Sequence, residues 1–154
     1  QLMKRQTRTV GSIVKIILAD DSHSYGIILD KASIGIFNIK TKDDLLLSEI
    51  LKADILFIVA VYNTAITSGR WRKIGKTNLD NRFTTLPLNF IQDSTNPELI
   101  EIYDPNSGLS RKASKDECLH LECAAVWEAA HLESRILDHF NSNENIWVKQ
   151  LQIK

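Results

Sequence analysis

Three short apolar segments, rich in β-branched residues, follow one another in the N-terminal part of the chain with polar turns between them. Ser12–Leu18 follows Gly11 and is almost entirely apolar, and Tyr25–Asp30 and Ser33–Ile39 come next, both rich in isoleucine. Runs of this length bounded by turn-forming residues are typical of β-strands. The pattern therefore predicts a three-stranded antiparallel meander.

The next stretch predicts a helix and then a strand in the middle of the sheet. Thr41–Asp44 is a variant of the capping box, and apolar residues recur after it at helical spacing through Lys52. Ile55–Tyr62 is apolar on both faces, which is typical of a central strand covered on both sides. A short strand is expected around Trp71–Gly75, and Leu86–Ile91 is a further extended segment that its proline makes a weaker candidate.

A hairpin and a short helix are predicted in the following segment. Leu99–Tyr103 and Leu109–Lys112 flank the turn sequence Asp104–Gly108, which is a good hairpin signal. Ser114–Glu117 is a full capping box, so we expect a short helix that runs to about His120.

The chain is predicted to finish with a strand, an amphipathic helix and a last apolar segment. A strand is expected near Glu122–Trp127, and Leu132, Ile136 and Phe140 then share one stripe of a helix. The closing segment Ile146–Ile153 is partly apolar. Together these elements predict an α+β fold: a mostly antiparallel twisted sheet with two or three helices, including the amphipathic one near the C-terminus.

The length of 154 residues suits one domain, which we expect over residues 10–153 after a basic N-terminal arm at residues 1–9. Met3 is the single methionine and a candidate translation start, which would make residues 1–2 additions from cloning. No apolar run approaches the roughly 18 residues that span a bilayer, and no export signal precedes the first strand. We therefore expect no membrane contact.

Charge is balanced overall but unevenly distributed. The 19 basic and 19 acidic residues give a formal net charge of zero, which argues against a dedicated nucleic-acid binder. Residues 116–144 nevertheless carry many acids and a single arginine, Arg135; the acids are Asp116, Glu117, Glu122, Glu128, Glu133, Asp138 and Glu144. This segment is either an ordinary solvated face or a surface for a basic partner.

Few residues form patterns that suggest catalysis or metal binding. Cys118 and Cys123 do not form a CxxC pair, and with His120 they offer only three zinc ligands at an unsuitable spacing. We expect both cysteines to be buried and reduced. His23 beside Asp20 and Asp21 could bind a metal or act as an acid or base, but a solvated turn is the simpler interpretation. We predict no catalytic residue, no cofactor site and no metal site.

One segment alternates basic and aromatic residues, as grooves for single-stranded nucleic acids do. It is Arg70-Trp71-Arg72-Lys73. If the segment is a strand, Trp71 points to one side and the two arginines to the other. We then expect Trp71 in the core and the arginines in solvent.

An ordered set of motifs resembles a known family. The set comprises Gly11–Leu18, Asp21–Leu29, Phe37–Lys40, Ile55–Val59, Trp71–Lys76, Glu117–Glu122, Ala125–Trp127, His131–Ile136 and a closing Trp147. Their order is similar to that of the immunity protein 26 family of bacterial polymorphic-toxin systems, over roughly residues 10–150. Two positions depart from the family pattern: Ser12 stands where an Asp is common, and Ala129 follows Glu128 where the family often has a Pro.

The resemblance implies a cytoplasmic antidote that is not an enzyme and uses no cofactor. Such a protein binds the C-terminal toxin domain delivered by a neighbouring cell, as in contact-dependent growth inhibition, and blocks its active site or substrate groove. Many of these toxins are nucleases with basic grooves, so the expected partner is a basic nuclease in a 1:1 complex, with no direct nucleic-acid binding.

Acidic side chains are the expected contacts with such a partner, since they would compete with phosphate and speed the encounter. The predicted toxin-binding residues are Asp20, Asp21, Asp43, Asp44, Glu128, Glu133 and Asp138. Two alternatives stay open at this point. One is a small-barrel endoribonuclease-like enzyme, and the other is a nucleic-acid-binding module that uses residues 70–73.

Overall fold

The computed structural model describes residues 3–154. Gln1 and Leu2, the first two residues of the predicted N-terminal arm, lie outside the described residues. Residues 3–154 form ten strands: β1 Ser12–Ile17, β2 His23–Ile28, β3 Ser33–Phe37, β4 Ile55–Val61, β5 Arg72–Lys76, β6 Asn89–Gln92, β7 Ile100–Asp104, β8 Leu109–Lys112, β9 Glu122–Cys123 and β10 Val126–Trp127. The α-helices of this described part are α1 Leu47–Leu51, α2 Thr64–Thr67, α3 Ala129–Phe140 and α4 Ile146–Gln150.

The strands form two sheets. The main sheet has six strands in the order β10-β4-β3-β2-β1-β5, and a smaller sheet has four in the order β8-β7-β6-β9. Pairing is antiparallel except where β10 joins β4 and β9 joins β6. The predicted α+β class with mostly antiparallel pairing is confirmed, with the strands divided between two sheets.

Both faces of the main sheet are covered, which explains why β2 and β3 are buried along their whole length. One face packs against α2, α3 and α4, with Leu132 and Ile136 of α3 completely buried. The other face packs against α1, whose Ile50 is completely buried. Full burial of one such side chain stabilises the fold by roughly 1.5–3 kcal/mol.

The predicted meander is confirmed, and β2 begins two residues earlier than expected because His23 pairs with Ile17 of β1. The predicted start of the first helix is wrong. Thr41 Oγ1 accepts a hydrogen bond from Asp43 N (3.0 Å), so Thr41 closes a turn rather than capping a helix. The helix begins at Leu47, and Glu49 Oε1 accepts from Leu46 N (3.0 Å) instead.

Ile55–Tyr62 is covered on both faces as predicted, but it does not lie at the centre of the sheet. β4 lies second from the edge, and its outer neighbour β10 pairs only with Ala60 and Val61. Most residues of β4 are therefore half-buried. The apolar pattern predicted that both faces of this strand are covered, but it could not predict the position of the strand within the sheet.

The segment from Ser114 to Trp127 forms smaller elements than predicted. The capping box is present, since Ser114 N donates to Glu117 Oε1 (3.0 Å) and Glu117 N to Ser114 Oγ (3.3 Å), but it caps only the 3-10 turn Asp116–Cys118. The predicted strand is split: β9 belongs to the smaller sheet and β10 to the main one. The two sheets are thus joined directly by residues 124–125.

The amphipathic helix near the C-terminus is confirmed as α3, and the closing segment contains α4. Asn145 caps α4, because its Oδ1 accepts from the backbone nitrogens of Trp147 and Val148, each at 3.1 Å. His131 of α3 stacks on Trp147 with ring centroids 3.6 Å apart. No helix among residues 3–154 has the length and apolar character needed to cross a membrane.

The described part of the N-terminal segment lies against β5. The Gln6 side chain binds the backbone there as a paired strand would. Its Nε2 donates to Trp71 O (2.6 Å), and its Oε1 accepts from Lys73 N (3.1 Å). Arg8 then donates to the carbonyls of Leu29 and Ser33 at 2.6 and 3.1 Å, which fixes the segment to the turn between β2 and β3.

Candidate functional site

Four of the seven predicted toxin-binding residues come together at one corner of the main sheet. Asp20 and Asp21 lie in the turn between β1 and β2, and Asp43 and Asp44 lie in the connection between β3 and α1. An isolated antiparallel bridge joins the two segments, with His23 N to Thr41 O at 2.8 Å and Thr41 N to His23 O at 3.0 Å. We call these four aspartates the aspartate corner.

A buried histidine holds the second segment of the corner in place. His23 Nε2 lies 2.9 Å from both the Asp43 carbonyl oxygen and Tyr25 Oη, and the His23 side chain is almost completely buried. A carbonyl can only accept, so Nε2 carries the proton in this arrangement. Tyr25 Oη also accepts from Leu45 N at 3.2 Å. Burial lowers the pKa of His23, and the charge of Lys15 lowers it further.

Two of the corner carboxylates are fixed by neighbouring groups. Asp20 accepts from the Ser22 hydroxyl and from Ser22 N (3.1 Å), and it pairs with Lys40 Nζ (3.1 Å). These bonds lower the pKa of Asp20 to about 2. Asp44 pairs with Lys15 Nζ at 2.8 Å, and this contact lowers the pKa of Asp44. Both carboxylates are therefore ionised at neutral pH.

The other two corner carboxylates, Asp21 and Asp43, project from exposed residues. None of the ion pairs formed within residues 3–154 includes either of them. Asp21 adopts a left-handed backbone conformation with φ of 65° at the tip of its turn. Lys42 is exposed next to Asp43 and brings a cation to the same surface.

Two exposed aliphatic side chains accompany the aspartate corner. Ile17 is 50% exposed and Leu46 is 68% exposed. Ile17 pairs with His23 on one side, but β5 begins at Arg72, opposite Lys15, so no strand continues beside Ile17 on the other side. Sequence reasoning missed both residues, because Ile17 continues the apolar alternation of β1 and only the extent of β5 explains its exposure.

Of the other three predicted residues, Glu133 and Asp138 lie on α3 and Glu128 directly precedes it. This helix covers the opposite face of the main sheet from α1. Glu133 accepts from Arg70 Nε and Nη2 and from Trp71 Nε1, all at 2.8 Å. Asp138 accepts from Asn145 Nδ2 at 2.8 Å. Glu128 has a largely exposed side chain, 3.7 Å from His131 Nε2. The structure therefore does not join these three residues to the aspartate corner.

Several acids of the segment 116–144 bind arginines of the same chain. Glu117 pairs with Arg111 at 3.0 Å, and the pKa of Glu117 is lowered, chiefly by the backbone hydrogen bond from Ser114 and next by Arg111. The Glu122 carboxylate accepts a hydrogen bond from each terminal nitrogen of Arg135, both at 2.8 Å. Much of the negative charge in this segment is thus compensated by internal contacts.

The basic and aromatic segment at residues 70–73 serves the fold. Trp71 is completely buried, as predicted from its strand parity, so its ring offers no surface on which a base could stack. Arg70 is held by Glu133. Arg70 and Trp71 therefore bind Glu133 of α3. Arg72 and Lys73 instead donate to the carbonyls of Lys4 and Thr7 in the N-terminal segment.

Neither cysteine forms a disulfide, and Cys118 is buried as expected whereas Cys123 is half-buried. Burial raises the pKa of both thiols, which keeps them protonated at neutral pH. Within residues 3–154, no three His, Cys, Asp or Glu side chains are grouped closely enough to hold a metal ion.

Comparison with known families identifies the chain. The sequence model of the family Immunity protein 26 matches residues 9–99, which is more than half of the chain, so the chain belongs to this family. The resemblance found from the sequence is confirmed over that range, and the motifs after residue 99 lie outside the match. Neither the curated proteins nor the solved structures include a significant match.

Proposed function

We propose that this immunity protein binds a cognate toxin domain in the cytoplasm, in a 1:1 complex, and blocks the active site or substrate groove of that toxin. Membership of the immunity protein 26 family supports the role. The observation that carries the choice of surface is the aspartate corner, where two fixed carboxylates and two that form no ion pair within residues 3–154 lie in the same two segments as the exposed Ile17 and Leu46.

The arrangement suits recognition of a basic protein surface. Ile17 and Leu46 supply apolar area, and the surrounding carboxylates supply charge, which resembles the apolar centre and polar rim of protein interfaces. Because Asp20 and Asp44 are already held by hydrogen bonds, little side-chain entropy is lost when a partner docks. Asp21 and Asp43 pair with no cation of residues 3–154 and are the stronger candidates for direct pairing with the toxin.

A nuclease is the toxin class that this surface fits best. Nuclease grooves carry Lys and Arg to bind phosphates. Carboxylates placed over such a groove would occupy the positions of the phosphates and exclude the nucleic acid. The same charges would accelerate association at low salt.

The first experiment is co-purification of this chain with the toxin domain encoded immediately upstream of its gene, followed by an assay of the toxin's activity. We expect a tight 1:1 complex in which the activity is suppressed. Failure to form a complex, together with undiminished activity, would overturn the proposal for that partner.

Neutralising the unpaired carboxylates tests the surface. The double variant Asp21→Asn and Asp43→Asn should lower the association rate with the toxin by roughly 3–10-fold at low salt, since it removes two steering charges. Lys42→Glu should raise that rate. Asparagine tolerates the left-handed conformation of Asp21, so the fold should be unaffected. Rates are measured by stopped-flow mixing at two salt concentrations.

The matched control for this series is the double variant Asp116→Asn and Glu144→Gln, which also removes two exposed carboxylates, both outside the two segments of the corner. It should leave the association rate close to that of the wild type. Equal rates for the corner variants and this control would show that the aspartate corner does not face the toxin.

A further inference from the structure

A second concave surface lies between the two sheets. It is a cleft of about 210 Å³ at the outer side of β4. On that side β10 pairs only with Ala60 and Val61, whereas β3 pairs along the other side. The lining residues that carry the argument are Lys31, Ile58, Ala60, Tyr103, Ala124 and Val126. Most of the lining is apolar, and it comes from both the main and the smaller sheet.

Among the described residues that line the cleft, Lys31 alone is charged. It lies at the tip of the turn between β2 and β3, and no ion pair within residues 3–154 includes its amine. Arg8 holds the two carbonyls at the base of this turn, so the backbone that carries Lys31 is fixed. An apolar cleft with a single charged residue in its lining can discriminate between ligands of opposite charge.

We propose that this inter-sheet cleft is a second contact site for the toxin. This inference rests on the proposed function. The cleft takes an aromatic side chain of the toxin that is followed by a carboxylate, and the carboxylate pairs with Lys31. The cleft is distinct from the aspartate corner in the sign of its charge.

Size and charge both favour this occupant. A cavity of about 150 Å³ is enough to hold a benzene ring in other proteins, so one aromatic side chain fits here. Buried aromatic anchors in such pockets dominate the energetics of many interfaces. With no acid in the lining, the lysine attracts an anion and rejects a basic side chain.

The experiment measures the equilibrium affinity of purified variants for the toxin domain encoded upstream of this gene, by isothermal titration calorimetry. Lys31→Glu reverses the charge at the rim, and Ala124→Trp fills the cleft from an exposed position. Each should weaken toxin binding by about tenfold or more. Lys112→Glu on the exposed strand β8 and Ser94→Trp in the exposed loop after β6 are the matched controls, and both should bind within about twofold of the wild type.

Each result decides the matter. Weak binding by the two cleft variants and normal binding by the two controls would support the proposal. Normal binding by the cleft variants, or equal weakening by Lys31→Glu and Lys112→Glu, would overturn it and leave the proposed function intact. If the wild-type chain does not bind the toxin, the proposed function itself fails. Unchanged thermal unfolding of each variant shows that loss of binding is not loss of folding.

Discussion

At the scale of single residues, the turn between β2 and β3 departs from the usual sequence preferences. Lys31 and Ala32 adopt φ of 54° and 58°, the left-handed pair found in type I′ turns. Asn and Gly are the usual residues at these positions, since a side chain at positive φ costs roughly 1–2 kcal/mol. The strain persists because Leu29 N bonds to Ser33 O (2.9 Å) and Arg8 holds both ends of the turn.

Ala32→Gly should therefore stabilise the protein by about 0.5–1 kcal/mol, which is the relief of strain less the extra entropy of glycine in the unfolded chain. The measurement is the urea midpoint at constant m value. Gly108→Ala is the opposite case: φ there is 76° and no atom would meet the added Cβ within 4 Å, so backbone strain alone should cost about 1 kcal/mol. An unchanged midpoint for Ala32→Gly would contradict this account.

His23 makes stability depend on pH. Its pKa is lowered in the folded state, so the unfolded chain takes up a proton first as the pH falls through the unfolded value of about 6.5. The stability contributed by neutral His23 is complete above that pH and decreases below it. We expect the free energy of unfolding to fall between pH 7 and pH 5, as measured by urea titration at several pH values.

His23→Gln provides the control for this pH dependence, because the Gln amide can still donate to the Asp43 carbonyl but does not titrate. The variant should lose much less stability over the same interval. The carboxylates with lowered pKa, Asp20 and Asp44 among them, lose their contribution only at more acidic pH, below their ordinary pKa. Identical pH profiles for the variant and the wild type would exclude His23 as the cause.

At the scale of the elements, the acids of α3 and its surroundings determine where this helix sits. Arg135 of α3 binds Glu122 of β9 and stacks over the ring of Phe57 in β4, 3.6 Å from its centroid. Glu133 binds Arg70 and the indole of Trp71. The helix is thereby tied both to the smaller sheet and to the segment before β5, on the face that its apolar stripe covers.

Glu133→Ala should destabilise the fold by roughly 1–3 kcal/mol, because the completely buried Trp71 indole would lose its hydrogen-bond acceptor. Thermal unfolding followed by circular dichroism measures the effect. Glu144→Ala removes a carboxylate that is 88% exposed and should change stability by less than about 0.5 kcal/mol. If the two variants are equally stable, the contacts of Glu133 contribute little to the fold.

At the scale of the whole molecule, local patterns predicted the elements better than their arrangement. The meander, the hairpin around Gly108 and the amphipathic helix follow from alternation, turn residues and the Leu132–Ile136 stripe. The division of Glu122–Trp127 between two sheets could not be predicted in this way. Each strand has only two residues, and two residues are too few to show a periodic pattern. The outer position of β4 depends on which segment pairs with it, and that is a long-range choice.

The candidate site shows the same limit. The sequence picked out the four aspartates by charge, but charge alone could not separate them from Glu133 and Asp138, which lie on α3 at the opposite face of the main sheet from α1. Ile17 and Leu46 carry no polar signal at all, and their exposure depends on where β5 and α1 begin. Lys31 becomes notable only because the smaller sheet closes a cleft beside it.

The cluster that joins Val14 and Ile16 of β1 to Leu132 and Ile136 of α3 has a consequence for biosynthesis. A ribosome adds about 5–20 residues per second, so the first strands wait roughly 6–24 seconds for the helix that covers them. During that interval one face of the meander depends on chaperones or on transient contacts. Under the proposed function, a cell that meets its toxin is protected by immunity proteins that have already folded. A chain whose synthesis starts at that moment folds only after this delay.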